Sequence, residues 1–348
     1  MIFQNTIVRF IAFFIPVKDM RENFVKTYSR KTKFAKLRED NKKLFKLVKH
    51  LSIENKTIRQ EQAFLKGMLM NHTWLSPLED NPKIYLSIAC IAKNEGMFLK
   101  EWIEYHRIVG VERFYFYDNE SSDNTKEILE PYIKDGIVIY RYVVGKVMIR
   151  PVYQDAILKA RGQSRWLAIV DLDEFIVPKE KDSVPDFLKD YEQYPAVGIN
   201  RMQFDHNGHK THPTDHGGLV TANYTRVPKD PEHHCRIGVK SIVNPNEVVF
   251  VNSPHVFHFK NFYTVSEDLE PCGHLTKYYP ISKIQINHYA IRSIEDGERN
   301  KQRGDPWHRK YAITRPRNLD PFKNIETTND YAIQKYLPKL KEVMGVKD

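Results

Sequence analysis

Three carboxylates stand close together in the stretch RWLAIVDLDEF, residues 165–175. The apolar run before them predicts a buried strand, and Asp171, Asp173 and Glu174 follow it directly. Alternate side chains of a strand share a face, so Asp171 and Asp173 are predicted to point the same way. Two carboxylates so placed suit a hard cation, Mn²⁺ or Mg²⁺, that bridges the phosphates of a nucleotide diphosphate. The alternative is a solvated turn in which an Asp caps a helix.

Polar groups also follow two other predicted strands, at 84–92 and 113–118. A carboxylate at such a strand end can accept hydrogen bonds from a base or a ribose. Ligands of α/β sheets bind at the carboxyl ends of the strands, so these groups are expected to line a nucleotide site. They are Lys93, Asn94, Glu95, Asp118 and Asn119.

The elements that must position these residues alternate between strand and helix. Such alternation predicts an α/β domain with a mostly parallel sheet, which we place at residues 80–290. Residues 291–348 are polar and predicted to be mostly helical. The predicted strands are 84–92, 113–118, 137–144 and 166–173, and the predicted helices are 95–110, 121–136 and 151–162.

The motifs of this region, taken in order, resemble those of glycosyltransferase family 92, a relative of the family-2 glycosyltransferases. The resemblance lies in CIAKNEGMFLKEWIEYHRIVGVERFYFYDNESSDNT, followed by RWLAIVDLDEF. Looser similarity continues in VKSIVNPNEV and INHYAIRSIEDGERNKQRG, where Gly297 stands in place of an expected aromatic residue. The resemblance implies a GT-A fold, a Rossmann-like sheet that binds a nucleotide-diphospho-sugar.

The same resemblance implies an inverting, metal-dependent transfer of a hexose, with galactose favoured, from a UDP-sugar to a saccharide acceptor. Asp171 and Asp173 would hold Mn²⁺, or Mg²⁺, on the diphosphate, while Asp118 and the turn at 93–95 hold the uridine. A further metal ligand late in the domain is commonly His. His255 is the preferred candidate, and His258 and His288 are the others.

An inverting transfer also needs a general base for the acceptor hydroxyl. Glu174, beside the metal, and Glu295, in the HYAIRSIED element, are the two candidates. Three cations in the same C-terminal stretch are expected either to close over the diphosphate or to form a solvated face. They are Arg292, Lys301 and Arg303.

Most of the net charge of +10 belongs to the first 80 residues, which contain 16 Lys/Arg against 8 Asp/Glu. Within residues 1–20 the apolar stretch Ile7–Val17 is too short to span a membrane and is interrupted by Arg9 and Pro16. We expect an amphipathic segment that lies on an anionic membrane surface. The predicted location is cytoplasmic, peripheral on the inner membrane face. The alternative is a helix packed on the protein's own body.

Residues 21–75 are predicted to form a helical stalk. Within it, residues 34–69 keep a seven-residue repeat in which one position is always Leu or Ile. The position three residues before it is Asn in two of the five repeats. This pattern favours a parallel homodimeric coiled coil, and the alternative is a single amphipathic helix. The repeat consists of Leu37, Leu44, Leu51, Ile58 and Leu65.

Two other functions fit parts of the sequence. A metal-dependent nucleotidyl- or phosphotransferase would also use D-x-D, but AKNEG is not a Gly-rich phosphate loop. A membrane-bound coiled-coil scaffold with a degenerate transferase domain would need no intact D-x-D-E. Nucleic-acid binding is not expected, because the body beyond residue 80 is almost neutral. We therefore expect a saccharide acceptor. If the amphipathic segment at residues 1–20 binds a membrane, we expect that acceptor to be lipid-linked.

Overall fold

A six-stranded sheet forms the centre of the protein. The computed structural model describes residues 82–234, 238–260, 262–303 and 319–347, so the predicted segments 1–20 and 21–75 lie outside the described residues. The strand order is β3-β2-β1-β4-β9-β6. The first four run parallel, and β9 is antiparallel to both β4 and β6. These strands are β1 Ile84–Ala92, β2 Arg113–Asp118, β3 Val138–Tyr142, β4 Ser164–Ile169, β6 Ala196–Ile199 and β9 Lys240–Val243.

Both faces of this sheet are buried, which explains the nearly continuous apolar runs of its strands. Side chains of β1 alternate between the two faces: Ile88 and Cys90 join one hydrophobic cluster, while Ala89 and Ile91 join the other. The first cluster includes helix α1, Gly96–Ile108, and the second includes α3, Ile149–Ala160. Helix α2, Thr125–Lys134, links β2 to β3. The predicted α/β class is therefore confirmed.

A second, three-stranded sheet begins at Glu174, the last of the three carboxylates. It has the order β5-β12-β7, from β5 Glu174–Pro178, β12 Ile284–His288 and β7 Arg201–Gln203. Antiparallel pairing sets His288 opposite Glu174. Helix α1 supports this sheet, because Trp102 Nε1 donates to Glu174 O at 2.8 Å. The start of β5 and the end of β12, which are far apart in sequence, thus meet beside Asp173.

The position of the D-x-D stretch differs from the prediction. The fourth strand was predicted to run to residue 173, but β4 ends at Ile169, and Glu174 N donates to Asp171 O at 3.0 Å. This closes a tight turn at 171–174. The expectation that Asp171 and Asp173 share one strand face is therefore wrong, because neither residue is in a strand.

The remaining elements surround the two sheets. Strand β13 pairs with β8, so the C-terminal region is not wholly helical. Across the described ranges, no helix combines the length and the apolarity that a membrane span would need. These elements are α4 Val184–Leu188, α5 Val220–Asn223, β8 Arg226–Pro228, α6 Pro231–His234, the hairpin β10 Val248–Ser253 and β11 Val256–Phe259, α7 Ile294–Arg303, β13 Thr327–Asn329 and α8 Leu337–Met344.

Candidate active site at the strand ends

The candidate site lies where the carboxyl ends of β1, β2 and β4 meet. Parallel pairing aligns Ala92 with Asp118, and Asn119 N donates to Ala92 O at 2.8 Å. The turn at 93–95 and the turn at 171–174 follow β1 and β4, which are also neighbours in the sheet. The mostly parallel sheet expected from the sequence thus brings these three strand ends side by side. This edge is where α/β sheets bind their ligands.

Asp171 is bound by two side chains from the surrounding core. Its Oδ1 accepts a hydrogen bond from the Tyr153 hydroxyl at 3.0 Å, and its Oδ2 accepts one from Lys240 Nζ at 2.7 Å. Burial is the largest influence and raises the pKa of Asp171, but the charge and hydrogen bond of Lys240 together with the charge of Arg201 outweigh it, and the pKa lies below its ordinary value. Asp171 is therefore an ionised carboxylate held by a cation of the protein itself.

Glu174 is a buried charge held between two cations. Its side chain is 0% exposed, Arg201 Nη1 lies 3.0 Å from its Oε1, and Lys240 Nζ lies 3.2 Å from its Oε2. The same Oε2 accepts a hydrogen bond from Asp171 N at 3.0 Å. Both oxygens are thus engaged away from solvent. This geometry suits a group that orders the turn, and it does not suit the general base that the sequence suggested.

Asp173 points to the other side, toward the end of β12. Its Oδ2 lies 3.7 Å from His288 Nε2, and Tyr289 N donates to its backbone oxygen at 2.7 Å. Asp173 and His288 are 16% and 15% exposed, so an incoming ligand can reach both. One ligand atom each of Asp173, Glu174 and His288 lie within 4.8 Å of one another. Among the described residues, this group can hold a metal ion.

The donor set fits a divalent metal. Carboxylate oxygens with one imidazole nitrogen suit Mn²⁺, and Mg²⁺ accepts the oxygens. The imidazole nitrogen nearer to Asp173 is Nε2, so it is the atom of His288 that a shared cation would use. His288, one of the three predicted histidines, is thus the one beside Asp173.

His255, the preferred third ligand, lies near the Lys240 side instead. Its Nδ1 bonds Val239 O at 2.7 Å, and its ring packs edge-on against His274 with centroids 5.0 Å apart. Burial, with the charges of Lys240 and Arg201, lowers the pKa of His255 to about 3. It is a neutral imidazole outside the Asp173 group. His258 is exposed on β11, where its ring packs near Phe250.

The predicted nucleoside contacts form the rim of the site. Asp118 is 2% exposed, and its oxygens accept hydrogen bonds from Ser121 N at 2.9 Å and from the Tyr140 hydroxyl at 2.8 Å. Asn119 Nδ2 donates to Val143 O and Gly145 O at 3.2 and 2.9 Å. These two side chains therefore fix the loops that follow β2 and β3.

The turn after β1 is fixed in the same way. Asn94 has a φ of 53°, in the left-handed region that Asn tolerates. Its Oδ1 accepts a hydrogen bond from Ser122 N at 2.7 Å, and its backbone N donates to Ser121 Oγ at 3.0 Å. The half-buried Lys93 precedes it, and the buried Glu95 follows. These contacts hold the 93–95 turn in place at this edge of the sheet.

Arg292 is a buried link between this turn and the C-terminal region. It is 1% exposed, and its Nη2 lies 2.7 Å from Glu95 Oε2 while its Nε lies 3.3 Å from Asp296 Oδ2. The guanidinium carbon sits 3.5 Å from the centroid of the Phe98 ring. A diphosphate could reach this cation only by displacing two carboxylates. The expectation that Arg292 closes over the diphosphate is therefore not what the structure shows.

The other predicted C-terminal residues lie on α7. Glu295 is exposed, with its backbone N donating to Lys210 O at 3.0 Å. Lys301 Nζ lies 2.9 Å from Glu298 Oε1 on the outer face of the helix. Arg303 ends the helix, and its side chain is outside the described residues. The alternative of a solvated face fits Lys301.

Three residues of the site were not found from the sequence. Lys240, Arg201 and Tyr153 supply the charges and the hydroxyl around the carboxylates, from β9, β7 and α3. Lys240 is the polar residue that opens the apolar strand KSIV, a signal that could have identified it. Arg201 and Tyr153 carry no such signal, because their partners are set by the packing of distant segments.

A model of glycosyltransferase family 92 matches residues 84–334 of the chain, so the match extends beyond the predicted domain end at 290. A family 92 protein of Oryza sativa subsp. japonica is 30% identical over 50% of this chain and 30% of its own length. One of Ricinus communis is 31% identical over 51% of this chain and 32% of its own length. The chain thus spans about a third of these curated relatives.

A more distant relative is the galactan beta-1,4-galactosyltransferase GALS2 of Arabidopsis thaliana. It is 25% identical over 51% of this chain and 39% of its own length. Among solved structures, S. aureus TarS 1-349 in complex with UDP-GlcNAc is 15% identical with a TM-score of 0.33. It covers 47% of this chain, which corresponds to 46% of that one.

Proposed function

Because this chain belongs to glycosyltransferase family 92, we propose that it moves a hexose from a UDP-sugar to a saccharide acceptor with the help of a divalent cation. The observation that carries the metal part is the approach of Asp173 to His288 at the ligand-binding edge of the sheet. Galactose is the favoured sugar, supported by the galactosyltransferase relative from Arabidopsis thaliana.

The roles of the surrounding residues follow from their contacts. Asp173 and His288 would hold the cation, Mn²⁺ or Mg²⁺, which neutralises the charge of the leaving diphosphate. Glu174, with Arg201 and Lys240 on its two oxygens, keeps the 171–174 turn in place. The rim formed by the 93–95 turn, Asp118 and Asn119 shapes the place for the nucleoside. The site residues are thus preorganised before the donor arrives.

For the general base, Glu295 is the better of the two predicted carboxylates. Its side chain is exposed, whereas that of Glu174 is 0% exposed and held by two cations. A base must reach the acceptor hydroxyl directly or through one water. In this proposal the transfer is inverting, Glu295 acts as the general base, and Glu174 has a structural role.

The setting of the reaction is also a proposal. The basic N-terminal residues, with the apolar stretch Ile7–Val17, support binding to the inner, cytoplasmic face of a membrane. A lipid-linked saccharide would then be near the enzyme, in the synthesis of a surface polysaccharide. The heptad repeat at 34–69 supports a homodimer.

The test is a hydrolysis screen of UDP-galactose, UDP-glucose and GDP-mannose with Mn²⁺, with no acceptor present. We expect slow hydrolysis of one UDP-sugar, lost on addition of EDTA and in Asp173→Ala. Asp190→Ala is the matched control, because Asp190 is an exposed carboxylate with a side chain 66% exposed. A folded wild-type protein that neither binds nor hydrolyses any of the three would contradict the proposal and favour a scaffold.

A further inference from the structure

Lys240 lies between two of the three carboxylates at the candidate metal site. Its side chain is 1% exposed, and its Nζ is 2.7 Å from Asp171 Oδ2 and 3.2 Å from Glu174 Oε2. It projects from β9, an inner strand of the larger sheet between β4 and the edge strand β6. A lysine so buried is held in a single place, unlike a lysine on a solvated surface.

Lys240 contacts the first aspartate of the D-x-D stretch, and the second aspartate has a different partner. Asp171 has one oxygen on Lys240 and the other on the Tyr153 hydroxyl. Asp173 instead faces His288. Within the part of the chain that the structure describes, the group of possible metal-binding residues contains Asp173, Glu174 and His288, and does not contain Asp171. Glu174 is 0% exposed with a cation on each oxygen, so Asp173 and His288 are the members that a metal ion can reach. Yet Asp171 is not sealed off, because its side chain is 35% exposed.

We propose that Lys240 is a positioning residue that keeps Asp171 out of the metal's ligand set, so that the cation is held through Asp173 and His288. The inference rests on the proposed metal-dependent function and specifies how its site is built. The ammonium takes the Asp171 oxygen that would otherwise be available to the cation. Asp171 then remains a partly exposed hydrogen-bond acceptor beside the metal.

The fixed charge has a second consequence for metal binding. A positive charge near a divalent ion opposes its binding, and the effect is larger in a partly buried site than in water. The metal ion should therefore bind more weakly in the presence of the Lys240 charge than it would to the three carboxylates without that charge. Loss of the charge should tighten metal binding, whereas loss of an ordinary structural ion pair would weaken it or leave it unchanged.

The experiment is a titration of the whole 348-residue chain with Mn²⁺ alone, in which free Mn²⁺ is followed by electron paramagnetic resonance. We expect Asp173→Asn to weaken binding by at least about twentyfold and Asp171→Asn by less than about fivefold, since only a direct ligand loses a coordination bond. Lys240→Met should tighten binding by about fivefold or more, and Lys240→Arg should retain the wild-type affinity. Adding Asp171→Asn to Lys240→Met should restore the wild-type affinity.

The matched control is Lys229→Met, because Lys229 is an exposed lysine in an ion pair with Glu326 at 2.6 Å. Its affinity should equal that of the wild type. If Lys240→Met fails to fold, the comparison of Asp171→Asn with Asp173→Asn still tests the ligand set on which the inference depends. Equal, large losses in those two variants would overturn the inference and leave the proposed function standing. A folded wild-type protein that binds no Mn²⁺ would overturn both.

Discussion

The three carboxylates of the 171–174 turn differ in their partners rather than in their chemistry. Asp171 contacts Lys240, Glu174 contacts Lys240 and Arg201, and Asp173 faces His288. The carboxylate group therefore serves as a hydrogen-bond acceptor in Asp171, as a buried structural charge in Glu174 and as a candidate metal ligand in Asp173. The environment of each group, set by residues far away in the chain, decides which role it has.

A first prediction separates the structural role of Glu174 from a catalytic one. Glu174→Gln leaves Arg201 and Lys240 without their shared anion, and breaking a buried ion pair costs about 3–5 kcal/mol. We expect the free energy of unfolding in urea to fall by about that amount. The matched control is Glu180→Gln, an exposed residue that should change it by less than about 0.5 kcal/mol. A fully stable variant that lacks only turnover would instead support Glu174 as the base.

The residues that could be predicted from the sequence are those with local signals. The carboxylates stood out because charge follows an apolar run so abruptly. His288 was one of three candidate histidines, and the sequence analysis preferred His255. Nothing in the local sequence distinguishes the three. The pairing of β12 with β5 sets His288 opposite Glu174, and this long-range register is what identifies it. The choice of Glu295 over Glu174 as the base likewise follows from burial in the folded structure, which no local pattern contains.

At the scale of elements, the first half of the domain was predicted closely. The predicted strands at 84–92 and 113–118 coincide with β1 and β2, since both are dominated by β-branched and aromatic residues. β5 was missed, although FIV before Pro178 is a short apolar run of the strand type. The short strands β6 to β9 depend on pairing between distant segments, which local patterns do not contain.

A second prediction concerns the link between α7 and the turn after β1. Arg292 contacts Glu95 and Asp296 in the core, whereas Arg299 contacts the other oxygen of Asp296 from the surface. Arg292→Gln leaves a carboxylate buried without its cation, so the beginning of α7 should loosen. We expect amide hydrogen exchange in residues 294–303 to increase by at least about tenfold.

Arg299→Gln is the matched control for that measurement, because the Arg299 side chain is 43% exposed. Exchange in this variant should stay within about twofold of the wild type, as an exposed ion pair contributes little. Unchanged protection in Arg292→Gln would show that α7 is held by other contacts. The exchange of residues 93–95 should rise together with that of α7 if Arg292 couples the two segments.

The whole molecule combines a catalytic domain with a basic N-terminal region. The family match begins at residue 84, and the excess positive charge lies before residue 80. A transferase whose acceptor is attached to a lipid benefits from being held at the membrane, because the local acceptor concentration rises. The N-terminal region is therefore proposed to determine location, and the domain that follows to determine chemistry.

A third prediction tests this division. Deleting residues 1–20 removes the apolar stretch Ile7–Val17 and should move the protein from the membrane fraction to the soluble fraction. Hydrolysis of the donor should remain, because the candidate site lies wholly in later residues. A matched control replaces Lys42 and Lys43 with Gln, which removes charge and leaves the apolar stretch intact. Persistent membrane association of the deletion would rule out the interfacial segment.

The measurement that tests the central claim most directly is calorimetric titration of UDP into the 348-residue protein, with Mn²⁺ or with EDTA. We predict that UDP binds at least about tenfold more tightly with Mn²⁺ than with EDTA, because Asp173 and His288 would hold a cation that attracts the negatively charged diphosphate. Asp173→Asn should remove this difference, and Asp190→Asn should preserve it. Equal UDP affinity with and without Mn²⁺ in a folded wild-type protein would contradict a metal-dependent nucleotide-sugar site.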